Sequence, residues 1–388
     1  MAEIQAEKGL NPDMTAQQSR KRRILLVTLY GSYNYGNLLQ RYALTRTLEG
    51  FSFEVAHLCC DDASPLAARV KACLKLPVKY VLALLGVGKF RRQFQQMKAD
   101  IPRAQRFTQW QDTFTPAKIF MSYSGALKSQ WDGYALAVTG SDQVWHNWSK
   151  SPGELAYYYL EFMPRGKRVC YAPSFGFSQF PQRDIELHRK GLEGFDRLSC
   201  REQEMQGMIR SLTGQNAELV LDPTLLLTPE QWREASSKPE YPVPERCVLC
   251  YFLGEITPEY QRAIHDMAGG LPVININDID DITHYVTHPG EFVYLVDRAD
   301  FVCTDSFHGT AFSVNFGKNF LAFRRSQAGM EDMFGRIESI LDSTGITGHV
   351  YEHGMTARPD MPDYDSVDGK LEALREKSMK YLRECLKV

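Results

Sequence analysis

The chain has 388 residues, 44% hydrophobic and 24% charged, a composition that excludes a disordered, collagen-like or low-complexity protein. Its 45 basic and 47 acidic side chains leave a formal charge of -2, which excludes a strong overall field and with it an expected nucleic-acid partner. At about 150 residues per domain the length predicts two or three domains, and two domains flanking a cleft is the simplest arrangement.

Residues 1–20 are polar and run into Arg20-Lys21-Arg22-Arg23 with no apolar core, so they read as a disordered N-terminus and not as a signal peptide. Ile24–Leu29 then reads as a buried strand. It leads into the loop Tyr30–Asn37 and a helical pattern from Leu38 to Leu48. Strand, glycine-bearing loop and helix form the opening unit of a doubly wound α/β domain. Apolar runs at 53–59, 135–140, 168–172, 197–200 and 217–221 continue it as a mostly parallel sheet.

Residues 63–106 interrupt that series. They hold ten basic residues against the single acid Asp100, a net charge of +9. The apolar stretch 76–88 inside them is too short to span a bilayer and contains Lys79. Such a basic, partly amphipathic insertion predicts either a solvated helical hairpin or peripheral contact with an anionic membrane or a lipid-linked acceptor.

The four prolines between 228 and 245 read as a linker. A second series follows, with strands at 247–253, 273–276, 301–303 and 320–323 and helices at 258–268, 290–298 and 309–316. A final helix over 369–388 carries leucines at 371, 374, 382 and 386. The predicted architecture is therefore α/β and GT-B-like: Rossmann-like domains over 21–228 and 245–368, a cleft between them, and a C-terminal helix.

The nine cysteines are an odd number set in apolar runs, which predicts no disulfide framework and a reducing, cytoplasmic compartment. Cys247 and Cys250 fall in one strand, where their side chains point to opposite faces and do not chelate one metal. No P-loop, G-x-G-x-x-G, zinc or Ser/His/Asp signature occurs, so neither a metal nor a cofactor is expected.

The sharpest chemical signal is Thr304-Asp305-Ser306-Phe307-His308-Gly309-Thr310, between a strand and a helix. Free N–H groups at a helix start favour an anion. Ser306 and Thr310 add hydroxyls, Gly309 permits close approach, and His308 can give a proton. Asn34-Tyr35-Gly36-Asn37 occupies the matching loop of the first domain, as a tight turn or a ligand contact. After the strand 135–139, Asp142 suits either sugar hydroxyls or a helix cap, and Trp145 suits stacking on a sugar ring. Arg201 is placed to fork onto a carboxylate or phosphate, or else to pair with Glu202, and Arg325 is a second cation.

These residues occur within a set that resembles the polysaccharide pyruvyl transferase family. The set comprises Gly31-Ser32-Tyr33-Asn34-Tyr35-Gly36-Asn37-Leu38-Leu39-Gln40-Arg41, Gly140-Ser141-Asp142-Gln143-Val144-Trp145, Tyr171-Ala172-Pro173-Ser174-Phe175-Gly176, Ser199-Cys200-Arg201-Glu202, Leu221-Asp222-Pro223-Thr224 and Thr304–Gly309. The resemblance implies a GT-B-like fold and transfer of pyruvate from phosphoenolpyruvate to a sugar of a polysaccharide or lipid-linked precursor. It implies that His308 is the acid, that Arg201 holds the donor, and that Asp142 and the Asn34 loop face the acceptor. Several family members carry Arg where this chain has Ser306. Arg325 or Arg336 then substitutes, or the donor differs. A GT-B glycosyltransferase using a nucleotide sugar is the alternative reading, and a glycan-binding protein without catalysis is the third.

Overall fold

The computed structural model describes residues 22–30, 34–60, 88–115, 117–325 and 334–387. The expected disorder at 1–20, the loop residues Gly31–Tyr33 and the insertion up to residue 87 lie outside them.

Strands β1 (Arg23–Val27), β2 (Glu54–Cys60), β3 (Lys118–Met121), β4 (Leu136–Thr139) and β5 (Arg168–Cys170) form one parallel sheet in the order β3-β2-β1-β4-β5. Leu25 lies opposite both Ala56 and Ala137, which fixes the register at its centre. Both faces are covered, so alternate β1 residues enter different cores: Ile24 and Leu26 one, Leu25 and Val27 the other. A short parallel pair follows, β6 (Leu198–Cys200) with β7 (Ala217–Leu219).

The second parallel sheet has β8 (Val248–Tyr251), β9 (Val273–Asn275), β10 (Phe301–Thr304) and β11 (Phe320–Ala322) in the order β11-β10-β8-β9. Cys247 and Cys250 enter different cores, as one extended strand requires. The eight described cysteines form no disulfide. In each sheet the order reverses about one strand, at β1 beside β4 and at β8 beside β10. Crevices open at the carboxyl ends of strands at such reversals. The two Rossmann-like units share one large apolar core, in which Tyr35 packs on Tyr251 at 5.3 Å and on Phe292 at 4.9 Å.

Two connecting segments depart from the expectations. The proline-rich stretch contains a helix, Pro229–Ala235, because Thr228 and Gln231 form a capping box and Pro229 occupies the first turn. Its buried Trp232 touches Tyr42 of the first unit and Phe312 of the second, at 5.4 and 4.8 Å. The described part of the basic insertion is a helix, Gly88–Asp112, wedged between the units. Arg103 is buried there and donates to the carbonyls of Ile276 (3.1 Å) and Tyr285 (2.9 Å), while Arg106 pairs with Glu291 at 2.6 Å. These two cations are spent on the interface and are not free for a membrane. The C-terminal helix, Tyr364–Leu386, returns to the first unit, where Ser378 Oγ accepts from the Leu221 N–H at 3.0 Å.

The buried histidines make the fold acid-sensitive. Burial, with Arg41 and Lys118 nearby, pushes His57 down to about 3, and burial pushes His188 down to about 4. Both sit below the ordinary value of about 6.5, so the unfolded chain binds the extra protons. Their contribution is complete above about pH 6.5 and falls as pH drops towards the folded values, by about 1.4 kcal/mol per unit for each. The unfolded imidazoles are half protonated at pH 6.5, so urea unfolding at pH 5 is expected to give a free energy about 3 kcal/mol below that at pH 6.5. Equal stability at the two pH values refutes this assignment.

Candidate functional site

The site grows from the loops at the two sheet reversals. Ser141 and Asp142 follow β4, Arg201 follows β6, Asp222 follows β7, and His308 begins the helix Phe307–Asn315 after β10. Asp142 adopts a left-handed backbone, with φ 71°, a strained conformation for a non-glycine residue.

Arg201 is the centre of a buried ionic cluster, its side chain 2% exposed. Its Nη1 donates to Asp222 Oδ2 at 2.7 Å, its Nε to Glu202 at 3.0 Å and its Nη2 to Asp142 at 3.4 Å. Its guanidinium also lies 4.7 Å from the Phe307 ring. Burial works against the charge, but Glu202, Asp222 and Asp142 outweigh it and raise the pKa. Arg201 thus makes the expected pairing with Glu202 and adds Asp222 and Asp142, so one N–H on each of its three nitrogens faces a carboxylate.

Asp222 joins the halves of the site. It accepts from Ser141 Oγ at 3.2 Å, from the Thr224 N–H at 2.9 Å and from Thr224 Oγ1 at 2.7 Å, and His308 Nε2 stands 3.8 Å away. Burial opposes its ionisation, but His308, Arg201 and Thr224 hold the carboxyl well below the usual range. Gln40 extends the network, donating to Thr28 Oγ1 at 2.9 Å and accepting from the Ser141 N–H at 3.1 Å.

His308 meets the first domain directly. A Cβ on Gly36 would lie 2.0 Å from His308 Nδ1, so only glycine lets this helix approach the ring. Asn34 caps the helix Tyr35–Gly50, its Oδ1 accepting from the Gly36 N–H at 2.8 Å. Gly36 thus lies against His308, whereas Tyr35 points the other way. The Tyr35 ring is fully buried, and its hydroxyl donates to the Thr287 carbonyl at 2.6 Å.

Other expected ligands have contacts within the protein. Trp145 is wholly buried, stacked on Tyr159 at 5.0 Å, and cannot meet a sugar. Gly309 is required because a Cβ would lie 2.2 Å from Thr304 Oγ1, a packing need and not a ligand's. Thr310 donates to the Ser306 carbonyl at 3.3 Å, and Ser306 Oγ caps the helix by accepting from the Gly309 N–H. Arg325 lies 3.4 Å from Asp305, whose carboxylate also takes the N–H groups of Leu253 and Gly254, and its buried Nε has no hydrogen-bond partner.

Arg336 is the cation best placed to serve an anion. It opens the helix Gly335–Thr344, lies 3.8 Å from Asp142, and its buried Nε has no hydrogen-bond partner. Burial, with Arg201 alongside, pushes it down to about 10. It lines a cavity of about 400 Å³ with Phe175, Phe177 and Glu202. The whole arrangement offers one titratable imidazole, a fixed carboxylate beside it and an arginine with spare donors.

The sequence profile of the polysaccharide pyruvyl transferase family matches residues 34–327. No curated protein sequence matches the chain. Similar solved structures include the glycosyltransferase SnogD from Streptomyces nogalater, at 14% identity over 93% of this chain and 96% of that one, with a TM-score of 0.43. Anabaena HepE in complex with UDP and glucose is similar at 11% identity over 94% of this chain and 98% of that one, with a TM-score of 0.46.

Proposed function

The chain belongs to the polysaccharide pyruvyl transferase family, and from that premise we propose that it moves pyruvate from phosphoenolpyruvate onto a sugar of a polysaccharide or lipid-linked precursor, forming a ketal. The observation that carries the reading is His308, buried between Gly36 and Asp222 at the meeting of the two domains.

His308 protonates the methylene carbon of the donor, which becomes a methyl group and leaves C2 an oxocarbenium-like electrophile. Two sugar hydroxyls add to C2 in turn and release their protons, while the C2–oxygen bond to phosphate breaks. One released proton restores His308 and the other leaves with phosphate. The Asp222 carboxylate stands 3.8 Å from His308 Nε2 and places a fixed negative charge beside the ring. Arg336 supplies the cation that Ser306 does not, and the free N–H groups at the start of helix 307–315 add to the anion site.

A thermal-shift titration of the full chain tests the donor. Phosphoenolpyruvate well above its dissociation constant raises the melting temperature, and UDP-glucose does not. Release of phosphate with a lipid-linked glycan confirms transfer. Stabilisation by UDP-glucose alone overturns the proposal in favour of a glycosyltransferase.

No helix among the described residues is long and apolar enough to cross a membrane. The proposed workplace is the cytoplasm, at the inner membrane face, with the exposed Arg92 and Lys98 adding to the contact. Reversing both charges then weakens sedimentation with phosphatidylserine vesicles, and unchanged sedimentation sinks this part of the proposal.

A further inference from the structure

On the reading that the chain takes a glycan acceptor, we infer that Trp148 is a stacking platform for a second sugar, so that the acceptor is an oligosaccharide and not a single sugar. Trp148 is 50% exposed, although large aromatic side chains of this protein are otherwise mostly buried. It sits in the loop after β4, six residues beyond Asp142.

The ring is held in place before any ligand arrives. It stacks on His146 with centroids 3.8 Å apart and planes at 23°, and its Nε1 donates to the Gln143 carbonyl at 3.2 Å. A rigid exposed aromatic loses little conformational freedom on binding. Nothing about the packing of the first domain needs this face, because Trp145 already fills the core three residues earlier.

The platform continues into the cavity beside Arg336. His146 meets Phe177 edge-on at 5.8 Å, and Phe177 stacks on Phe175 at 5.4 Å. Phe175 and Phe177 line the cavity of about 400 Å³, together with Glu202, Glu204 and Asp342. A volume in the range of about 300–1,000 Å³ is typical of small-molecule sites. Carboxylates accept hydrogen bonds from hydroxyls, and aromatic faces take the C–H face of a sugar ring. Trp148 lies outside the cavity lining, so a sugar in the cavity leaves its ring face open for the next sugar of the chain. Glu202 also binds Arg201, which ties the cavity to the ionic cluster beside His308.

The test uses the full chain on a printed array of bacterial oligosaccharides with their parent monosaccharides. The wild-type chain binds oligosaccharides more tightly than the monosaccharides. Trp148→Ala weakens oligosaccharide binding about tenfold and leaves monosaccharide binding unchanged, while Trp148→Phe retains most of it. The inference is overturned if Trp148→Ala binds oligosaccharides as the wild type does, or if the wild type shows no preference for them. Donor binding is read separately by thermal shift with phosphoenolpyruvate. Glycan binding through Trp148 without donor binding would sink the transfer reaction and leave this inference standing. Donor binding with an unaffected Trp148→Ala would do the reverse.

Discussion

Replacing Asp222 by alanine is expected to lower the unfolding free energy by about 3 kcal/mol and to abolish turnover. The carboxylate is fully buried and accepts from Arg201, Ser141 and Thr224, so its loss leaves several buried donors short of a partner. Arg201 retains Asp142 and Glu202, which keeps the loss at the lower end of the range for a broken buried pair. Asp222→Asn preserves the shape and an acceptor for the Thr224 N–H, so it loses less stability but equally lacks the charge beside His308. The folded carboxyl is held below its ordinary value, so its contribution is present above the unfolded pKa of about 3.9 and is lost only as pH falls further. The charge is therefore in place at any working pH. Urea unfolding and phosphate release on both variants check this; an Asp222→Ala protein as stable and as active as the wild type refutes it.

Much of this arrangement is legible in the chain, because its local rules and its global fold agree. Apolar runs of strand length between helical patterns predict two parallel sheets, and both form, but the runs at 197–200 and 217–221 pair in a separate two-stranded sheet and Lys118–Met121, outside the expected runs, joins the first. The short Ser306–Thr310 cluster is legible as a helix start because capping chemistry acts within four residues. What fails is anything decided by a partner distant in sequence. Arg201 reads as a free anion clamp, since nothing local reveals Asp142 or Asp222, 59 and 21 residues away. Asp222 itself looks only like the cap of an Asp-Pro-Thr turn, a role it also fills. Trp145 and Trp148 share one loop without periodicity, so exposure cannot be assigned between them, and the buried one attracts the sugar-binding role. The basic helix 88–112 reads as a surface because charge suggests water. Three rings, Tyr35, Phe107 and Tyr285, lie within about 5 Å of the Arg103 guanidinium and make its burial tolerable.

His308→Ala is expected to lower the turnover number by about 10²- to 10⁴-fold while the chain stays folded. The argument rests on position: the imidazole is the titratable group at the contact between the two domains, with Asp222 on one side and Gly36 on the other. Removing the ring removes the proton source for the methylene carbon, and because His308 Nε2 has no hydrogen-bond partner the unfolding midpoint falls only by the packing lost from the buried ring. The deletion also leaves a ring-sized space against Gly36, and added imidazole is expected to restore part of the rate. Gly36→Ala approaches the same site from the opposite direction. Its methyl group would need to occupy a point 2.0 Å from His308 Nδ1, which displaces the ring. Overpacking of this kind costs about 1–3 kcal/mol, and turnover falls with the misplaced acid even though the imidazole is still present. The two variants together separate chemistry from folding. If His308→Ala retains turnover, another group supplies the proton; if only Gly36→Ala retains it, the ring tolerates displacement and the proton reaches the donor along a different line.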